Sequence, residues 1–309
     1  MKPRGGTELQ LELLHKYCKK ELLDKVNICT SIPGKVPLAK DKLNILWQKN
    51  SYDQPNLQEF FGDQNRHDEY DWYIFNSHWN YEKFRYYFRI PQDKSMVIKN
   101  GVENFPKRKP YKKGEKIKII YNSTPWRGLN VMLGAMQFVT NPNIELDVYS
   151  STQIYGDYFE KVNKGKYDPL FDQAKKLKNV NYIGYKPHEY IMENISNYHI
   201  WCHPSCWEET FCIGALEAMA AGIYMICTNY GALYETCSEW PVYVNYTQDY
   251  VKLAQTFGQA IDMASKQLGE DYLEEHLDAQ QLHAKRFYDW KKKGGEWEIF
   301  LEGAISAKS

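Results

Sequence analysis

Pro204-Ser205-Cys206-Trp207-Glu208-Glu209-Thr210-Phe211-Cys212-Ile213-Gly214-Ala215-Leu216-Glu217-Ala218-Met219-Ala220-Ala221-Gly222 decides how the rest of this sequence is read. A polar run, Ser205 to Thr210, gives way to a small-residue apolar run that Gly222 stops. The pattern predicts a loop entering a helix, with Glu209 on the loop and Glu217 inside the helix. An Ala-rich apolar helix has no packing use for Glu217, because burying an unpaired carboxylate is costly. A partner is therefore expected, and a sugar hydroxyl is a natural one. The N–H groups of Phe211, Cys212 and Ile213 fall at the helix start, where the dipole and the open donors favour a phosphate.

Outward from this stretch, β-branched or aromatic runs alternate with helical ones. Val26 to Thr30, Leu43 to Trp47, Trp72 to Phe75 and Met96 to Lys99 read as strands in the first third. Lys116 to Tyr121, Ile144 to Tyr149, Val180 to Ile183, Ile200 to His203, Tyr224 to Thr228 and Val242 to Val244 do so later. Gly5-Gly6 precedes an amphipathic helix with Leu9, Leu13, Leu14 and Tyr17 on one side, and Gly128 to Phe138 and Glu189 to Asn197 read as further helices. Such alternation predicts parallel sheets covered on both faces.

The 309 residues suffice for two domains of about 150 each. Asn104 to Lys118 carries Pro106, Pro110, Gly114 and many basic residues, a linker composition read as a solvated connector. The expected domains are 1–105, linker 106–118, 119–285, and a C-terminal helix over 286–309. The Trp290 and Trp297 of that helix need a surface to bury.

Lys plus Arg and Asp plus Glu number 39 each, which gives no reason to expect nucleic acid or acidic lipid as a partner. No apolar run approaches a membrane span, and no apolar segment follows Lys2-Pro3-Arg4, so neither anchor nor signal peptide is expected. Seven cysteines without a CxxC pair suit free thiols in a reducing, cytoplasmic setting. Cys202, Cys206, Cys212 and His203 match no zinc spacing, so buried thiols are expected and no metal. No GxGxxG follows a strand, which argues against a dehydrogenase.

Several motifs now stand in one order along the chain. Gly5-Gly6-Thr7-Glu8 forms a turn before the first helix, and Phe75-Asn76-Ser77 ends a strand. Asn100-Gly101-Val102 and Ser123-Thr124-Pro125-Trp126-Arg127-Gly128 follow. After them come Gly184-Tyr185-Lys186, the Glu209–Glu217 stretch and Gly231-Ala232-Leu233-Tyr234-Glu235. Together they resemble the retaining glycosyltransferases of family 4 over nearly the whole chain. The resemblance implies an α/β protein of the GT-B fold, two Rossmann-like domains whose parallel sheets face a central cleft. It implies a metal-independent transfer of a hexose from a nucleoside diphosphate sugar, GDP-mannose first and then UDP-hexoses, to a carbohydrate acceptor. It requires no cofactor, and it leaves homo-oligomers open.

The resemblance also assigns roles. Glu209 contacts the donor sugar and Glu217 holds the ribose hydroxyls; a carboxylate can accept from a vicinal pair. Arg127 balances the charge on the leaving diphosphate. Ser123, Thr124, Thr210, Phe211, Cys212 and Ile213 line the donor phosphates, and Tyr185 and Lys186 reach the base. On the N-terminal side, Gly5, Gly6 and Ser77 face the cleft. The family's donor-site His is replaced by Asn50, Asp53 or His78. Only four residues precede Gly5, so the family's first strand is expected to be short or missing. The phosphate loop carries one basic residue where the family has two. Two rivals remain, a GT-B nucleotide-sugar epimerase and an inactive nucleotide-sugar binder.

Overall fold

The structure, a computed structural model, describes residues 5–153 and 156–308. The expectations placed on residues 1–4 lie outside it. Two compact units divide the chain: an N-terminal one of Gly6–Glu103, Glu209–Phe211 and the chain from Phe287 on, and a C-terminal one of Gly5, Asn104–Glu208 and Cys212–Arg286.

The N-terminal unit begins with α1 (Gly6–Tyr17), α2 (Lys20–Leu23), β1 (Val26–Thr30), β2 (Leu43–Gln48), α3 (Pro55–Phe61), β3 (Trp72–Phe75), α4 (His78–Phe88) and β4 (Ser95–Val97). Its strands pair in parallel in the order β1-β2-β3-β4. All of β2 is buried, and its period-two alternation splits the core between two faces. Ile45 and Trp47 pack with Leu13 and Leu14 of α1, while Leu46 packs with Phe60, Phe61 and Phe84 from α3 and α4.

The C-terminal unit runs β5 (Ile117–Tyr121), α5 (Leu129–Phe138), β6 (Ile144–Val148), α6 (Asp157–Val162), α7 (Asp168–Lys176), β7 (Val180–Tyr182) and α8 (His188–Asn194). It continues with β8 (Ile200–His203), α9 (Ile213–Ala221), β9 (Tyr224–Thr228), α10 (Leu233–Cys237), β10 (Val242–Val244), α11 (Tyr250–Gln267) and α12 (Asp271–Tyr288). The parallel sheet has the order β7-β6-β5-β8-β9-β10. Strand order reverses between β5 and β8, the doubly wound arrangement that opens a ligand crevice at the carboxyl ends of those two strands.

The basic run before β5 departs from a solvated connector at Arg108. Its side chain is 9% exposed and is held by Glu274 and by Asp278, the latter at 2.7 Å. The run passes along α12, whose acidic residues desolvate the guanidinium while satisfying its planar fork.

The chain then enters α13 (Trp290–Lys308), part of the N-terminal unit. Trp290 and Trp297 are fully buried with Phe300 and Leu301 in the core shared by Ile45 and Trp47. The Trp47 and Trp297 rings meet edge to face at 4.7 Å between centroids. Gly101 admits this docking: a Cβ there would stand 2.9 Å from the Trp290 ring and 3.0 Å from the Tyr288 carbonyl. Gln10 of α1 fastens Gly101 through both its N–H and its carbonyl.

Candidate active site

The switch point of the C-terminal unit is built by the loops after β5 and β8. Asn122 follows β5 and accepts from the Trp201 indole of β8 at 2.8 Å. Thr124 is buried; its carbonyl accepts from the Tyr121 hydroxyl and from Arg127 N–H. The Thr124 hydroxyl is enclosed without a hydrogen-bond partner among the described residues, a group that calls for a ligand or water. Ser123 and Arg127 are half-buried on the same loop, Arg127 closing the short helical turn Pro125–Arg127. Gly128 has φ 101°, and a Cβ on it would stand 2.0 Å from the Pro204 carbonyl. The phosphate-loop candidate thus lies directly against the loop after β8.

That second loop runs into α9. Cys212, just before the helix, has φ 71° and ψ 86°, a left-handed conformation unusual for a residue with a side chain. The Cys212 side chain does not cap α9. Backbone strain held at a helix start, whose first N–H groups have no partner within the helix, fits a site selected for binding rather than stability. Gly214, the second residue of α9, faces Asn122: a Cβ on it would stand 3.8 Å from the Asn122 Oδ1.

Glu217 sits on α9, 5% exposed, among Leu216, Ala218 and Met219, which are fully buried. The partner it needed is inside the protein: His188 Nε2 lies 2.5 Å from Glu217 Oε1. His188 is the first residue of α8, directly after the loop that carries Tyr185 and Lys186. Tyr185 is half-buried; Lys186 is exposed, its ammonium 5.2 Å from the Tyr190 ring centre.

Glu209, Thr210 and Phe211 group with the N-terminal unit. Thr210 is clasped to the carboxyl ends of that sheet. Its hydroxyl donates to the Lys49 carbonyl at 2.8 Å and accepts from Asn76 Nδ2 at 3.2 Å; its own carbonyl accepts from Ser77 Oγ at 2.7 Å. Ser77 also caps α4 by accepting from Asn80 N–H. Phe211 is buried, its ring 6.3 Å from that of Tyr288. Glu209, held on this anchored segment, is 3% exposed.

Among the other N-terminal candidates, Gly6 opens α1, Gly5 precedes it, and His78 is the exposed first residue of α4. Asn50 is half-buried and donates its N–H to Gln48 Oε1, whereas Asp53 is exposed. Their neighbour Lys49 stands out instead. It is 8% exposed, its Nζ donates to Asn100 Oδ1 at 2.7 Å and lies 3.5 Å from the centre of the Trp47 ring. Burial pushes its ammonium well below the usual lysine range, with Glu8 opposing the shift through space.

Cys18, Cys29, Cys202, Cys227 and Cys237 are buried thiols, whereas Cys206 and Cys212 are only partly buried. Burial raises the thiols of Cys18, to about 11, and of Cys202 and Cys206, keeping them protonated. Sequence reasoning passed over three polar groups: His188, Asn76 and Lys49. His188 follows Pro187 at a helix start, but its partner lies 29 positions further on, so nothing local marks it. Asn76 stands within the Phe75-Asn76-Ser77 motif and Lys49 directly before Asn50, but nothing local singles either out from its neighbours.

A model of the family described as glycosyl transferases group 1 matches residues 102–260, just over half of the chain. Solved structures share the architecture. A glycosyltransferase from Rickettsia africae ESF-5 is 15% identical, with a TM-score of 0.68 over 99% of this chain and 83% of that one. Anabaena HepE in complex with UDP-glucose is 15% identical, with a TM-score of 0.63 over 86% of this chain and 72% of that one. The pneumococcal O-GlcNAc transferase GtfA, in complex with UDP and GlcNAc, is 13% identical, with a TM-score of 0.63 over 96% of this chain and 60% of that one. No curated protein matches the sequence. At such identities the likeness speaks for the fold, the α/β GT-B class with two parallel sheets.

Proposed function

This chain belongs to the group 1 glycosyl transferases, and from that premise we propose that it moves a hexose from a nucleoside diphosphate sugar to a hydroxyl of a glycan or glycosylated acceptor, with retention at the anomeric carbon. The observation that carries the reading is Glu217, a buried carboxylate on α9, the helix that follows the switch-point strand β8 of a doubly wound sheet. In this reading Glu217 takes the donor ribose, and Tyr185 and Lys186 take the base. The diphosphate lies against Ser123, Thr124, Arg127 and the start of α9. Glu209 addresses the sugar, held on the segment that Lys49, Asn76 and Ser77 anchor. The bond from the anomeric carbon to the diphosphate oxygen breaks, and the acceptor oxygen bonds to that carbon on the same face. The acceptor proton passes to the leaving phosphate. Arg127 and the α9 dipole stabilise the charge that develops there.

The family resemblance alone puts GDP-mannose first as donor. UDP and UDP-glucose in the similar GtfA and HepE structures support placing UDP-hexoses ahead of it. Calorimetry of the protein with UDP, GDP and their sugars tests the reading. Tight binding of one nucleoside diphosphate is expected, with a retained anomer in the transferred product by NMR. Turnover is expected to persist in excess chelator, since Arg127 and the α9 start supply the countercharge. An inverted product, or no nucleotide binding, refutes the proposal.

A further inference from the structure

Glu217 is not an open carboxylate waiting for ribose. One of its oxygens, Oε1, is already engaged by His188 Nε2 at 2.5 Å. A carboxylate only accepts, so the imidazole N–H is the donor in this contact. The other oxygen, Oε2, has no hydrogen-bond partner among the described residues. Only 7% of the Glu217 side chain is exposed, so little of the group is open to a ligand. His188 itself is fixed by being the first residue of α8, and it directly follows the loop of Tyr185 and Lys186.

We propose that His188 is a positioning residue for donor recognition: it occupies Oε1 of Glu217, fixes the carboxylate plane, and leaves Oε2 to read one ribose hydroxyl rather than the vicinal pair. The inference rests on the assignment of the nucleotide to this unit. It departs from the two-hydroxyl role expected of the carboxylate from the motif alone. The physical reason is that a charge-assisted bond draws density towards Oε1 and sets the side-chain torsion. Without it, a glutamate on a helix of small residues has several rotamers to choose from, and ordering it costs affinity. His188 also ties the start of α8 to α9, so the loop that would meet the base and the carboxylate that would meet the ribose move together.

The test is calorimetry on the full-length protein. UDP and GDP are titrated first, then the 2′-deoxy, 3′-deoxy and 2′,3′-dideoxy forms of whichever binds. For the wild type, removing both hydroxyls is expected to weaken binding roughly ten- to a hundredfold. One singly deoxy form should carry most of that loss. His188→Ala should weaken the ribose nucleotide about tenfold while leaving the dideoxy nucleotide unaffected, because only the hydroxyl contact passes through Glu217. His188→Gln, whose amide N–H can still donate to Oε1, should recover most of the affinity.

A loosening of α8 would instead weaken every nucleotide alike, and that result overturns the proposal. So do unaltered binding in His188→Ala and equal losses from the two singly deoxy forms. Glu217→Ala separates this inference from the functional reading. If Glu217→Ala also treats ribose and dideoxy nucleotides alike, the ribose assignment itself is wrong. If Glu217→Ala discriminates and His188→Ala does not, only the positioning role falls.

Discussion

At the residue scale the two glutamates are held by different surroundings, Glu217 by His188 on a buried helix and Glu209 on a loop segment of the N-terminal unit. Glu209 is delivered by a segment whose only polar side chain besides its own, Thr210, is bonded to the ends of β2 and β3. Glu209→Gln is expected to leave nucleoside diphosphate affinity nearly unchanged and to lower kcat on the order of 100-fold or more, since charge develops on the sugar in the transition state. Equal losses in diphosphate affinity and kcat would show that Glu209 belongs to the nucleotide. Lys49 makes a separate prediction. Burial holds its ammonium well below the ordinary 10.5. The unfolded chain therefore binds a proton that the folded chain gives up, and this residue's contribution to stability rises as pH climbs from the folded value towards 10.5. Lys49→Met should be more stable than the wild type at neutral pH, with an advantage that shrinks as denaturation is repeated at increasing pH. An advantage independent of pH would show that the lysine keeps its proton in the native state across the range tested.

At the scale of elements, the junction of the β5 and β8 loops has the least tolerance. Gly128 combines φ 101° with a carbonyl 2.0 Å from where a Cβ would be. Gly128→Ala should cost at least about 2 kcal/mol and displace Arg127, its immediate neighbour, so that denaturant stability and diphosphate affinity fall together. Loss of neither would mean that the two loops do not need their close approach. The strands themselves were legible from sequence because each is a short apolar run with turn residues at its ends. Every run read as a strand is one, half of them with the same limits and the rest shifted by a residue or two, as at Met96 to Lys99, where the strand is Ser95–Val97. Glu209 and Glu217 stood out because their surroundings, an Ala-rich helix and a polar loop, are written beside them. His188 did not, since its meaning depends on a carboxylate 29 positions further on, and only the packing of α8 against α9 makes that a contact. Arg108 was misread for the same reason: composition says that a basic run is solvated, but not that Glu274 and Asp278 will meet it.

At the scale of the molecule, the N-terminal unit is finished by residues from the far end of the chain. Trp297 is fully buried against Trp47, with Phe300 and Leu301 beside it. Trp297→Ala should cost about 3–5 kcal/mol and act on the N-terminal unit first. Hydrogen exchange should show its β1–β4 amides losing protection while those of β5–β10 keep theirs. Uniform loss across both sheets would mean that the two units unfold as one. The same arrangement has a consequence for synthesis. Translation proceeds at about 5–20 residues per second, so the ribosome needs roughly 10–40 s to pass from residue 104 to residue 286. Throughout that interval the nascent N-terminal sheet has α1 against Ile45 and Trp47 but lacks α13, which completes that core. The stretch from Phe287 on leaves the exit tunnel after the whole C-terminal unit. A chaperone that shields a half-finished apolar face would find its substrate in that window, and the second sheet can form before the first is complete.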